Sequence, residues 1–179
     1  KLSGSIHVRY PVAGEKLLLL NEQTIEPEAD TALIADDVRA LAMAGVMGGE
    51  DSGITESTTD LFLEGAFFPP AAVAGKARSF GFSSDASHRY ERGVDFELAR
   101  SAIERATQLI VDICGGQAGP IIEAVSNSHL PGRKPVRLRC GRVAKVLGID
   151  LAADRIEVIL KGLGLSVERH GDDFLVTPP

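Results

Sequence analysis

The sequence predicts an α+β fold, with mixed β-sheets and packed helices, followed by a smaller α+β unit. Three observations carry this expectation. Short apolar runs with strand-like alternation dominate the N-terminal part, up to Phe68. Helical periodicity takes over after Pro70. Composition then changes over Ser126–Pro135, where turn formers and basic residues replace apolar ones. Strands first and helices afterwards argue for α+β rather than a regular βαβ repeat.

In chain order, Ser5–Tyr10 alternates apolar and polar residues, as a half-buried strand does, and Pro11 stops it. Lys16–Leu20 predicts a second strand, with Asn21-Glu22-Gln23 as a turn. Thr31–Ala35 predicts a third and Arg39–Met47 a fourth, closing at Gly48-Gly49 before a polar loop from Glu50 to Thr59. Leu61–Phe68 predicts a fifth strand. Pro69-Pro70 opens a helix over Pro70–Arg78, since proline is tolerated in a first turn, and Gly81 ends it. Asp95 is placed to cap the longest helix, with Glu97 suited to its positive end. In that helix Ala102, Ala106, Leu109, Ile110 and Ile113 recur as one apolar stripe, and Gly115-Gly116 stops it. After the linker, Val136–Arg139 predicts a strand, and Gly141–Leu147 and Asp154–Leu163 predict two short helices. Ser166–Arg169 and Phe174–Thr177 predict a hairpin around His170-Gly171-Asp172. So short a unit has little core of its own. The expected boundaries are 1–125, a linker over 126–135, and 136–179.

Composition narrows the function classes. Of 179 residues, 44% are hydrophobic and 25% charged, enough apolar material for a real core. No apolar run approaches the ~20 residues that span a bilayer, which sets the expectation of no membrane partner. A net charge of -6 argues against gripping nucleic acid over the whole surface. The one basic concentration, Arg133-Lys134, Arg137, Arg139 and Arg142, reads either as a solvated face or as a phosphate-backbone contact. Cys114 and Cys140 have no metal-spaced companions and read as unpaired thiols. The chain begins on Lys1 and ends on Pro178-Pro179 directly after a strand-like run, so a piece of a longer protein is expected.

Three places hold chemistry-bearing residues in unusual surroundings. Gly48-Gly49 follows an apolar strand, so it is either a turn or a close backbone approach to a ligand. Neither GxGxxG nor GKS/GKT is present, which speaks against a nucleotide-phosphate loop. Glu64 interrupts an otherwise apolar run, on the alternating face of Phe62 and Ala66. It is a surface acid, or a desolvated carboxylate in a pocket that needs donors. Ser83–Asp95, SSDASHRYERGVD, interleaves acids and bases, with Asp85, Ser87, His88, Arg89, Tyr90, Glu91 and Arg92 falling within about two helical turns. Within it, His88 reads more readily as a hydrogen-bonding residue than as a base, and sequence neighbours such as Asp85, Ser87 and His88 do not make a triad.

Those motifs also carry a resemblance. Ala44–Glu50 (AGVMGGE), Leu63–Phe68 (LEGAFF), Asp85–Asp95 (DASHRYERGVD) and Gly115-Gly116 through Gly119-Pro120 are similar, in order and spacing, to the bacterial phenylalanyl-tRNA synthetase beta-subunit family. The likeness runs from Lys1 to about Ala124. Val136–Pro179 resembles the start of the next domain of that family, a small helix-turn-helix-like unit, cut at its C-terminal end.

The resemblance implies a β/β/α-type editing domain that hydrolyses tyrosine mischarged onto phenylalanine tRNA. Such a second site answers a chemical need. A pocket made for phenylalanine rejects an added hydroxyl by only roughly 10²-fold, whereas a site that hydrogen-bonds the hydroxyl rejects its absence by ~10⁴ to 10⁵. Carried over, Glu64 receives the tyrosine phenol, the Gly48 backbone lies at the same pocket, and Ser84 and Ala86 line the amino-acid site. Ser84 stands where many members have threonine. The resemblance assigns no catalytic group in this chain, and an arginine and a histidine of the family's pocket precede Lys1. It implies a cytoplasmic aminoacyl-tRNA synthetase, a ligase that charges tRNA with phenylalanine. Its partners are tRNA and an alpha subunit in an alpha2-beta2 heterotetramer. ATP and magnesium are held outside this chain, which itself needs no cofactor. The alternative is a non-catalytic module for tRNA positioning or subunit packing. A DNA-binding role for the tail fits the acidic charge poorly. Within Ser83–Asp95, only Ser84 and Ala86 are expected to face the pocket, with His88, Arg89, Tyr90, Glu91 and Arg92 as a self-satisfied polar brace.

Overall fold

The computed structural model describes residues 2–179 and divides into two compact units, one running through Ala124 and the other Val125–Pro179. In the first, six short strands come first: β1 (His7–Arg9), β2 (Leu17–Leu18), β3 (Thr24–Ile25), β4 (Leu33–Ala35), β5 (Ala40–Met43) and β6 (Met47–Gly48). One antiparallel sheet has the order β1-β4-β5-β6, and β2 pairs with β3 separately. A Leu19–Gly49 bridge and the Leu20 N–H donating to the Gly48 carbonyl join the two ladders. Leu19, Leu33 and Met43 meet in the core between them, at 1% exposure or less. All the sheets are antiparallel and helices follow, so the α+β expectation holds.

The β4–β5 turn is built by one carboxylate. Asp36 is buried, and its Oδ1 accepts from the Val38 and Arg39 backbone N–H groups, both at 2.9 Å. Its Oδ2 accepts from the Ser3 N–H at 3.0 Å. These backbone donors hold the Asp36 carboxyl below the usual range, so its contribution to stability is present at neutral pH and lost on acidification. Arg9 clamps Glu15 through two nitrogens at 2.7 and 2.8 Å, closing the loop after β1.

Several expected elements are built differently. The run Arg39–Met47 is a hairpin, not one strand. Gly45 turns it at φ +67°, with the Val46 N–H donating to the Met43 carbonyl. Both arms line the core, so the apolar pattern continues through the turn and conceals it. Strand β3, Thr24–Ile25, was not anticipated. Leu61–Phe68 joins no ladder among the described residues; alternation marks two faces but does not supply a partner strand. The helix expected over Pro70–Arg78 is two single turns, α1 (Pro70–Val73) and α2 (Lys76–Ser79), parted by Gly75 at φ +78°.

Ser83–Asp95 contains α3 (Asp85–Tyr90), and the long helix is α4 (Leu98–Cys114), ended by Gly115 at φ +75°. Asp95 lies before the N-cap, which is Glu97; its Oδ1 accepts from the Glu97 N–H at 3.0 Å and its carbonyl from Leu98. The expected stripe on α4 is largely open, with Leu109 40% and Ile113 78% exposed. The half-covered residues are Ala99, Ile103, Ala106, Thr107, Ile110 and Val111, which include only Ala106 and Ile110 of that stripe. Gly65 lies so close to Ile103 that a Cβ there would fall 2.5 Å from its Cγ1.

In the second unit, β7 (Val136–Arg139), α5 (Cys140–Leu147), α6 (Ala153–Gly162), β8 (Ser166–His170) and β9 (Asp173–Thr177) follow in order, with β9 central in the sheet β7-β9-β8. Phe174, Ile156 and Val176 are its buried centre. Arg169 lies 5.9 Å over the Phe174 ring and pairs with Asp154 and Glu157. Of the basic concentration, Arg137 is engaged by Asp173 at 2.8 Å. Cys114 and Cys140 are unpaired.

The turn at Gly45 gives a stability test. A Cβ there would sit 3.1 Å from Tyr90 Cδ1 and 3.2 Å from Val73 Cγ2, whereas one at Gly75 would meet nothing within 4 Å. Gly75→Ala is expected to cost about 1 kcal/mol from backbone strain alone, and Gly45→Ala about 2–3 kcal/mol from strain plus crowding. Urea unfolding of the two variants measures the difference; equal losses would contradict the packing at Gly45.

Candidate functional site

Helix α3 organises the candidate site. A helix of six residues is too short to be stable alone, so its ends must be fixed from outside. At its start Ser84 is an extended N-cap whose Oγ accepts from the Ser87 N–H at 3.0 Å, while Ser87 Oγ accepts from the Ser84 N–H at 3.0 Å. This reciprocal pair satisfies two otherwise unpaired donors, as a capping box does. Ser84 Oγ also donates to the Val46 carbonyl at 2.6 Å, which ties the helix start to the β5–β6 turn.

At the other end, the Tyr90 hydroxyl donates to the Ala66 carbonyl at 2.9 Å. The Tyr90 ring packs beside Gly45 and lies 5.9 Å from the Phe68 ring. Helix α3 therefore spans from the hairpin turn to the Leu61–Phe68 segment, pinned to a backbone carbonyl at each end.

Glu64 lies in that segment, two residues before the pinned carbonyl. No hydrogen bond or ion pair reaches its carboxyl among the described residues. The residue as a whole is exposed, yet the protein around its carboxyl pushes the pKa above the ordinary glutamate value by desolvation alone. Tyr90 is pushed up as well, first by burial and then by the charge of Glu64. An unpaired carboxylate in such a place favours a ligand that brings its own donor.

Of the other expected site residues, Ser84 and Ala86 belong to α3 and its cap, and Gly48 to β6. Ala86 is half-buried and four residues before Tyr90, on the same helix face. Ser84 fixes the helix start, and its hydroxyl already donates to one backbone group and accepts from another. Gly48 pairs with Ala42 across β5–β6, and a Cβ there would meet Leu20 Cδ1 at 3.1 Å, so its immediate neighbour is Leu20.

The expected polar brace needs correcting. Arg92 does bond to the His88 carbonyl at 2.7 Å and to Glu91 at 2.9 Å. Tyr90 is not part of it, since it points to Ala66 and the core edge. Tyr90 is the residue that sequence reasoning missed, because its partner is a backbone carbonyl. Among the described residues, no three His, Cys, Asp or Glu side chains gather as a metal ion requires.

Two measurements follow from this geometry. Folded Glu64 keeps its proton to a higher pH than unfolded Glu64. Stability therefore falls as pH rises from the ordinary glutamate range through the raised pKa. Glu64→Gln is expected to remove that fall and raise the melting temperature at neutral pH; a lower melting temperature there would contradict the desolvation of Glu64. Ser84→Ala loses the cap and the tie to Val46, with an expected cost of about 1–3 kcal/mol. Ser84→Thr should recover most of it in urea unfolding.

Comparison with known proteins agrees with a single family. The B3/4 domain family matches residues 1–115. Over all 179 residues the chain is 69% identical to a protein of Aromatoleum aromaticum and 62% identical to one of Dechloromonas aromatica. It is 56% identical over the same length to one of Chromobacterium violaceum. Each of the three is a phenylalanine-tRNA ligase beta subunit. The chain spans 23% of the first of these relatives and 22% of the other two.

Proposed function

The chain belongs to the B3/4 domain family, and from that membership we propose that it is the editing module of a phenylalanine-tRNA ligase beta subunit. In that role it hydrolyses the ester of tyrosine mischarged onto phenylalanine tRNA. The likeness to beta subunits over the whole chain supports this reading. The observation that carries it is Glu64, a carboxylate with no donor among the described residues, beside a helix that is rigidly tied.

The selection chemistry follows from that carboxylate. A tyrosine phenol donates its O–H to Glu64, a hydrogen bond to a charged group, which contributes about 1.5–3 kcal/mol. Phenylalanine fills the same volume and leaves Glu64 unpaired. That one bond favours the hydroxyl by about 10- to 150-fold. Glu64 selects the substrate and does not act as the base. Ala86 on α3 and the Gly48 backbone line the amino-acid site. Ser84 shapes it by holding the backbone of the helix start. The ester carbonyl and a water are brought together there, with backbone N–H groups stabilising the oxyanion that develops.

The whole synthetase charges tRNA with phenylalanine, as an alpha2-beta2 heterotetramer in the cytoplasm, and residues outside this chain hold ATP and magnesium. The smaller unit, Val125–Pro179, begins the next domain of the same subunit. Among the described residues no helix is long and apolar enough to cross a membrane.

Calorimetric titration of this chain with tyrosine and with phenylalanine tests the amino-acid site, and hydrolysis of tyrosyl-tRNA by the full-length synthetase tests the reaction. Tyrosine is expected to bind more tightly than phenylalanine. Glu64→Ala should erase the difference, and Ala86→Trp should block both ligands. An unchanged tyrosine preference in both assays with Glu64→Ala would overturn the assignment and favour a module for tRNA positioning or subunit packing.

A further inference from the structure

We infer that Tyr90 is a positioning residue for the Glu64 site, holding the Leu61–Phe68 segment at one fixed distance from the β5–β6 turn. This inference rests on the editing reading above for its effect on the reaction.

The need for such a residue is plain in the backbone. Leu61–Phe68 belongs to no sheet among the described residues, so no ladder sets the position of Glu64. Apolar contacts steady the segment. Gly65 lies against Ile103 of α4, and the Phe67 ring meets Phe96 edge-on at 5.9 Å. Contacts of that kind resist separation but leave sliding along the segment poorly opposed, because they are non-directional. The Tyr90–Ala66 hydrogen bond is directional, and it joins residues 24 apart in sequence. It fixes the carbonyl two positions from Glu64.

Tyr90 itself has little freedom. Its ring lies between Gly45 and Phe68, and a Cβ at Gly45 would crowd it at 3.1 Å. The helix that carries Tyr90 is anchored at its other end by Ser84 on Val46. Displacement of the phenol would have to move the hairpin turn, the helix, or both. Burial and the neighbouring Glu64 charge both keep the phenol protonated, so it remains a donor. Its oxygen is committed to Ala66 and not to a ligand. Tyr90 therefore acts through Glu64, as a positioning residue and not as a catalytic one.

Tyr90→Phe removes the hydroxyl and keeps the ring. In the full-length synthetase that carries this chain, the variant is expected to keep a cooperative melt and to lose about tenfold of its preference for tyrosyl- over phenylalanyl-tRNA hydrolysis, the scale of one buried hydrogen bond. In combination with Glu64→Ala, which alone removes the acceptor and the preference, Tyr90→Phe should add no further loss, since both act on one interaction. Several outcomes overturn the inference. They are an unchanged preference in Tyr90→Phe, an independent and additive loss in the double variant, and a collapse of the fold, which would make the hydroxyl a global tie. The editing reading is tested separately. If Glu64→Ala removes the preference while Tyr90→Phe does not, only the role of Tyr90 falls. If Glu64→Ala leaves the preference intact, the site reading falls with it.

Discussion

The structure around the candidate site depends on one short helix held at both ends. Helix α3 has six residues and a single capping pair, too little to persist by itself. Ser84 on the Val46 carbonyl and Tyr90 on the Ala66 carbonyl turn it into a strut between a hairpin and a segment without a sheet. Each tie is a neutral hydrogen bond contributing about 1 kcal/mol. Their value is in direction: together they fix where Glu64 lies relative to the hairpin turn. Gly45 completes the arrangement by leaving room for the Tyr90 ring.

That rigidity explains how a poorly solvated carboxylate is tolerated. Desolvation raises the pKa of Glu64, a cost to the folded protein at neutral pH with no cation among the described residues to offset it. The packing of Phe67 on Phe96 and Gly65 on Ile103, with Tyr90 on Ala66, holds the segment that carries Glu64. Asp36 makes the opposite case in the same unit. Its carboxylate is buried but surrounded by backbone donors, and its pKa is lowered. One acid builds a turn, and the other makes no hydrogen bond among the described residues. On the proposed reading, the phenol of the substrate meets that group.

How much of this was legible in the sequence varied with the reach of the interaction. The α+β class, the cap and end of α4 to within a turn, and the hairpin around Gly171 all follow from neighbouring residues, and were readable. The turn at Gly45 was not, because Ala40–Met43 and Met47–Gly48 both face the core and the apolar pattern runs unbroken through it. The Leu61–Phe68 run alternates as a strand does, but pairing depends on backbone elsewhere. The α4 stripe was readable as a pattern, not as a buried face, since Ile113 and Leu109 are open. At the candidate site, an acid inside an apolar run singled out Glu64. Tyr90 was hidden because its partner is the carbonyl of Ala66, and a backbone oxygen has no signature in sequence.

The central claim is that α3 holds an unpaired Glu64 carboxylate where a phenol can reach it. A crystal structure of this chain soaked with tyrosine tests it most directly. The account predicts the phenol oxygen within hydrogen-bonding distance of Glu64, about 2.5–2.8 Å for an O–H donating to a carboxylate, with the Tyr90–Ala66 bond retained. Tyrosine bound elsewhere, or bound with its phenol turned away from Glu64, would contradict it.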